Sequence, residues 1–569
     1  MFTQLPSQAQ EFTNWTWAQI EPYYAELLAR RLDDSSIKDW LADWTHLDNL
    51  ISEARTRLWI GTTTNTADKV NLERFHAYLR DIMEQVEPAE QRLKEKLLAS
   101  GLSVPGMEIS LRDMRAEADL FRAENVPLAT LENKLGTDYD QITGTQTVVW
   151  EGEEITLLQL RTVYQRPERD VREKAWHLEI ERRTADTSAL NALWQELLAV
   201  RRQMAANAGF PDYRAYMWQA RKRFDYTPDD CVVFQDAVAE VIVPAASRIY
   251  ERRHQHLGVD TLRPWDLWVD PYGKPPLHPF KDIDELESKM EAIFHQVDPQ
   301  LGAYFTTMRQ EHLLDLGNRK NKAPGGYQTD LRLVKRPFIF MNAVSTHEDV
   351  ETLIHEGGHA FHCFESSVLP YGQQLDITME VAELASMSME MLAAPYLTSD
   401  KGGFYTPSEA ARARIEHLED AIVMLPYIAL VDAFQHWIYT HIDEANDPES
   451  CDEQWTALWK RFMPGVDYSG LEAGLLARWR RQSHIFQDPF YYIDYGLAQI
   501  GALQVWENAL QNQAQAVKQY RSALALGSTR TLPEIFATAG ATFAFDAGTM
   551  RHLVGLVERT ITELETQVD

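Results

Sequence analysis

Two histidines four residues apart, with a glutamate after the first, stand in the stretch TLIHEGGHAFH from Thr352 to His362. On an α-helix, residues four apart share a face about one turn up, so His355 and His359 can aim ring nitrogens at one point. Such a pair suits zinc, which takes imidazole nitrogens at ~2.0–2.1 Å. Glu356 would stand to the side of the metal, where a carboxylate can take a proton from water. The pattern is short, and roughly a few in a hundred chains of this length would carry it by chance. Its surroundings decide.

Leu353, Ile354, Ala360 and Phe361 flank the motif, predicting a buried helix whose polar groups need partners. Gly357 and Gly358 each cost about 1 kcal/mol against alanine in a helix interior, which makes sense if a neighbouring helix or a substrate must come close. Downstream, TMEVAELASMSMEML (Thr378 to Leu392) reads as a strong helix carrying Glu380, Glu383 and Glu390 near one stripe. Three carboxylates there repel unless something cationic faces them; the plainer reading is a solvated acidic face. Met387, Met389 and Met391 read as core filler. Two residues compete as third metal ligand. Glu365 stands where a longer HExxHxxGxxH pattern has its third histidine, but His362 replaces the bending glycine and lets the helix carry Glu365 away. Glu383, on a separate helix, is the better candidate. His362 reads as a surface or outer-sphere histidine.

The elements that must position these residues are mainly helical. The first 130 residues and the set Leu190, Leu193, Trp194, Leu197 and Leu198 follow the i, i+3, i+4 spacing. QTVVW (Gln146 to Trp150), a Glu151-Gly152-Glu153 turn, then Ile155 and Leu157 predict a hairpin. Long irregular connections run from Pro264 to Pro279 and from Lys320 to Tyr327. The second precedes a strand-like PFIFMN, Pro337 to Asn342. The fold expected is mainly α, with a small sheet close to the motif helix.

Among the 569 residues, 45% are hydrophobic and 25% charged, the balance of a globular protein. A net charge of −30 argues against nucleic acid and anionic membrane surfaces as partners. Three scattered cysteines, Cys231, Cys363 and Cys451, make no disulfide framework and suit a reducing compartment. The N-terminus lacks a basic start and an apolar core, so no signal peptide is expected. The most apolar run, Ile422 to Val431, is shorter than a membrane span and holds a proline. A soluble cytoplasmic protein is the expectation.

HEGGHAFH followed by EVAELASMSME resembles the thimet oligopeptidase and oligoendopeptidase F group of zinc metallopeptidases, and is most similar to the bacterial oligoendopeptidase F and Pz-peptidase type. NAGFPDYRAY, KRFDYTPDDC, RPWDL, NKAPGGYQTDL, PFIFMN and HIFQDPFYYIDYGLAQ extend the likeness over roughly the last two-thirds of the chain. The resemblance implies one zinc per chain held by His355, His359 and Glu383, with Glu356 as general base. It implies an elongated, zincin-like helical body with a deep substrate channel, and cleavage of internal bonds in short, unstructured peptides. The division expected is an N-terminal helical lobe with the hairpin, 1–200, and a catalytic region, 201–569. One departure is Leu384-Ala385-Ser386-Met387, where relatives often have Pro-Ser-Gln after the third ligand. On the same basis Glu380 and Glu390 are expected behind the ligands, orienting an imidazole.

Hydrolysis also needs donors for the developing oxyanion. Tyr491, Tyr492 and Tyr495 share helical spacing near His484; clustered tyrosines are commonly core aromatics, but the resemblance points to His484, Tyr492 and Tyr495 at the substrate, ahead of Tyr491. Phe338, Ile339 and Phe340 in PFIFMN could form an edge that pairs with an extended peptide. Gly325-Gly326 reads either as a flap by the site or as a turn. Two rival functions stand beside the endopeptidase: removal of C-terminal residues, with Arg478, Arg480 and Arg481 as possible captors of a terminal carboxylate, and a peptide-binding protein without catalysis. Oligomeric state is not legible.

Overall fold

The computed structural model describes residues 2–568. It is mostly helical, with one two-stranded and one three-stranded sheet. The helices that matter for the site are α1 (Ile37–Thr64), α2 (Thr187–Ala208), α3 (Pro228–Ala237), α4 (Ile283–Val297), α5 (His347–Ser366), α6 (Met379–Ala393), α7 (Pro407–Thr440) and α8 (Tyr492–Leu524), the last kinked at Asn512.

Buried apolar residues fall into two main clusters. One runs from Phe2 to Met114, is filled by Trp40 and Trp44, and takes in Tyr371 from the rest of the chain. The larger begins at Leu135 and includes the hairpin and the α2 face from Leu190 to Leu198. The apolar division therefore falls between Met114 and Leu135. The boundary expected at residue 200 is too late, because the hairpin and α2 bury their apolar faces against the catalytic body.

In the hairpin, β1 (Thr147–Trp150) pairs antiparallel with β2 (Glu153–Thr156). Glu151 and Gly152 take φ of 53° and 92°, the left-handed pair that a tight two-residue hairpin turn requires. Leu157 does not continue the alternation: Thr156 caps a short helix there.

Three further strands form the sheet beside the motif: β3 (Leu314–Gly317), β4 (Tyr327–Leu331) and β5 (Arg336–Ala343), in the order β3-β5-β4. The PFIFMN segment lies in β5, paired parallel with β3 and antiparallel with β4, where Gln328 faces Ile339. It is therefore no edge. Phe338, Ile339 and Phe340 are buried, as an unbroken apolar run in a central strand should be. The edge on the α5 side is β4.

Helix α7 corrects a second expectation. Pro426 lies inside it without ending it, and the apolar stretch is longer than the ten residues counted from sequence. By length and composition α7 could cross a membrane, but 78% of its apolar window is buried within the protein, as for a central core helix.

Candidate metal centre

Helix α5 begins with a reciprocal cap: Thr346 Oγ1 accepts from the Asp349 backbone N–H, and Asp349 Oδ2 accepts from the Thr346 backbone N–H. About three turns in, α5 meets α6 at Gly358 and α4 at Gly357. A Cβ on Gly358 would lie 2.6 Å from the Ala385 carbonyl oxygen and from Ser386 Cα, and one on Gly357 would lie 2.7 Å from Phe294 Cζ of α4. The close approach is made by neighbouring helices, not by substrate.

That crossing brings the Glu383 carboxylate across from the two histidines. Glu383 Oε2 stands 3.5 Å from His355 Nε2 and 4.0 Å from His359 Nε2, and the three donor atoms lie within 4.8 Å of one another. The His355 and His359 rings are nearly perpendicular, with centroids 4.9 Å apart. Behind them Glu390 accepts from His355 Nδ1 at 2.6 Å and from His417 Nε2 at 2.8 Å. With Nδ1 holding its proton against Glu390, His355 Nε2 on the Glu383 side is the nitrogen that would ligate a metal, the outer arrangement typical of metal-binding histidines. Two imidazoles and a carboxylate match a zinc donor set.

Charges follow from this packing. Burial opposes protonation of His355, but the hydrogen bond to Glu390 and the charges of Glu390, Glu383 and Glu356 raise its pKa to about 9. Burial first, then the charge of His355, holds His359 well below the ordinary imidazole value. For Glu390, burial works against ionisation, yet the bonds from His355 and His417 bring its pKa down to about 2. Glu356 is buried, which pushes its carboxyl up to about 7; His355 and the Gln328 backbone of β4 oppose this. A carboxyl near 7 is matched to proton transfer at neutral pH.

Other residues singled out from sequence fall into place unevenly. Glu380 touches no imidazole: it accepts from Tyr226 Oη at 2.8 Å and lies 3.8 Å from Arg223, in a buried group completed by Asp494. It points away from the imidazoles, towards Tyr226 and Arg223. Glu365 pairs with Arg521 at 2.7 Å. His362 is 3% exposed, so it is no surface residue, and neither ring nitrogen has a hydrogen-bond partner. Met387, Met389 and Met391 are buried.

The aromatic segment is turned towards the metal residues by Phe490, held at φ 65° with its N–H donating to Gln435 Oε1 and its carbonyl accepting from Arg223. A bulky residue in that region is strained and needs such anchors. Tyr491 Oη then donates to Glu383 Oε1 at 3.3 Å, so the tyrosine ranked last is the one that reaches the carboxylate. Tyr495 packs 5.0 Å from Tyr491. Tyr492 faces Tyr427 and His484, at ring distances of 6.0 and 4.9 Å. Gln482 bonds His484 Nδ1 at 2.9 Å.

Gly325 and Gly326 form a tied turn. Asn342 Nδ2 donates to the carbonyls of Ala323 and Gly325, and the Ala323 N–H to Thr63 of α1. Arg478, Arg480 and Arg481 are engaged elsewhere, with Tyr468, Asp452 and Glu179. His417 and Glu351 beside Glu390 were missed from sequence; no local motif marks them.

The fold and the trio define a helical protein with a candidate three-donor metal centre on a His-Glu-x-x-His helix. A family model, Peptidase family M3, matches residues 162–555, and the chain belongs to that family. Over 309 residues it is 24% identical to oligopeptidase PepF of Bacillus subtilis, covering 52% of this chain and 43% of the relative. Over 296 residues it is 23% identical to an oligoendopeptidase F homolog of Borreliella burgdorferi, covering 51% and 48%. The matched region thus spans about half the length of these curated relatives. A solved structure of Pz peptidase A with an inhibitor shares 27% identity and a TM-score of 0.87, each chain covered completely.

Proposed function

We propose that this chain is a zinc-dependent endopeptidase that cleaves internal bonds of short, unstructured peptides. The observation that carries the reading is the convergence of His355, His359 and Glu383 with Glu356 beside them. These three would hold zinc, which supplies Lewis acidity and makes water a nucleophile near neutral pH. Glu356 takes the proton from the attacking water and passes it to the leaving amine. Tyr491 and Tyr495, with His484 behind them, supply donors on the side opposite α5, where charge grows on the carbonyl oxygen. An extended peptide would lie along β4, pairing backbone to backbone, which suits broad sequence tolerance. Occupation of Arg478, Arg480 and Arg481 by structural partners favours this reading over capture of a C-terminal carboxylate. The free cysteines fit a cytoplasmic setting.

The test is a quenched peptide blocked at both ends, incubated with the protein before chelation, after chelation and after zinc is restored. Cleavage that disappears with the metal and returns with it supports the proposal. An untouched blocked peptide alongside trimming of a free one would replace it with an exopeptidase.

A further inference from the structure

Away from the centre described above, three potential ligands converge in the helical core. Cys231 of α3, with Asp432 and His436 one turn apart on α7, places a sulfur, a carboxylate oxygen and a ring nitrogen within 4.8 Å of one another. Cys231 and Asp432 are fully buried and His436 is 7% exposed. Among the described residues, Asp432 Oδ1 and His436 Nε2 both lack a hydrogen-bond partner. They face each other at 3.6 Å, too far for a hydrogen bond. The second Asp432 oxygen accepts from Gln235 Nε2 of α3 at 2.7 Å, which fixes the carboxylate with its free oxygen turned inward.

Buried polar atoms are nearly always satisfied, so two orphans aimed at one point beside a thiol call for an occupant. A thiolate, a carboxylate and a neutral imidazole carry two negative charges, which one divalent cation balances in a core where unbalanced charge is costly. Sulfur with nitrogen selects zinc over magnesium or calcium. The Gln235 bond is the kind that orients a ligating carboxylate. Arg214 Nη1 approaches His436 Nδ1 at 3.5 Å, the limit of a hydrogen bond. Arg214 is partly exposed, and a metal on Nε2 would require it to turn aside so that Nδ1 carries the proton.

We propose that Cys231, Asp432 and His436 hold a second zinc ion that ties α3 to α7.

The two centres differ in one readable respect: only this one contains sulfur. Protein produced in cobalt-supplemented medium should show a near-ultraviolet thiolate-to-cobalt charge-transfer band. The band should survive His355→Ala/His359→Ala, Cys363→Ala and Cys451→Ala, and vanish in Cys231→Ala. Survival in the Cys363 and Cys451 variants assigns it to Cys231 even if Cys231→Ala fails to fold. Zinc-grown wild type should hold two ions per chain and the double histidine variant one. No thiolate band in the wild type, with no zinc left in the double histidine variant, would overturn the proposal and leave the trio bridged by water. Peptide cleavage tests the other centre and is unaffected by that result.

Discussion

Glu390 joins two histidines from different helices, and its loss should be felt at the metal without removing a ligand. Glu390→Ala frees His355 Nδ1 and should weaken zinc binding by roughly 10–100-fold, whereas Glu380→Gln, whose partners are Tyr226 and Arg223, should leave zinc affinity unchanged. Competition titration with a chelating dye separates the two; equal effects would contradict the assignment. The raised His355 pKa makes a second prediction. Without metal, its folded value of about 9 lies above the ordinary 6.5, so the ring is protonated at pH 7. Zinc must displace that proton, releasing about one proton per ion from this ring, and apparent affinity should rise roughly tenfold per pH unit towards pH 9. Calorimetry in buffers of different ionisation enthalpy reads it directly; zinc uptake without proton release would refute it. At this scale the pairing of His355 with His359 on one face was legible because helical spacing is a local rule, whereas Glu383, on a separate helix, entered as the better of two candidates and through the resemblance. His417 was not, nor was the rank of Tyr491 above its neighbours. One depends on the packing of α7 against α6, the other on a left-handed Phe490 that no residue pattern announces.

Helix α5 can lie against α6 only where side chains are missing. Gly358→Leu should separate the helices, lower stability by about 1–3 kcal/mol or more and reduce zinc content. Thermal melts and metal analysis check this, and an unchanged melting temperature with full metal content would contradict the packing account. The mainly helical class, the hairpin and the sheet beside the motif were legible from apolar periodicity. The place of β5 was not: a short apolar run marks a strand, but pairing on both sides is set by β3 and β4, which are distant in sequence or weakly patterned. Pro426 misled in the opposite direction, because packing on every face of α7 sustains the helix through it.

The two apolar clusters meet near the site. From the N-terminal cluster's side, α1 packs Trp59 against Tyr327 with ring centroids 4.4 Å apart, bonds Thr63 Oγ1 to Tyr327 Oη at 2.6 Å and accepts the Val334 N–H on Glu53 at 3.0 Å. Both ends of the β4 segment are thus braced by the lobe whose sequence was least informative. Trp59→Ala removes an aromatic pair worth about 0.5–1.5 kcal/mol. It should raise KM for peptides more than it lowers kcat, because β4 is where substrate would align; a pure kcat effect would argue against that placement. The family likeness was legible over the last two-thirds of the chain, and the family match begins at residue 162. The early end of the first cluster was not legible, since amphipathic helices show which face is buried but not against which partner.

The account rests on a carboxylate beside a metal, and substituting that carboxylate tests it most directly. Glu356→Gln keeps shape and ligands, so the variant should bind as much zinc as the wild type while cleavage of a doubly blocked quenched peptide falls by at least ~10²–10⁴-fold. Wild-type cleavage rates in a variant with full zinc content would contradict it.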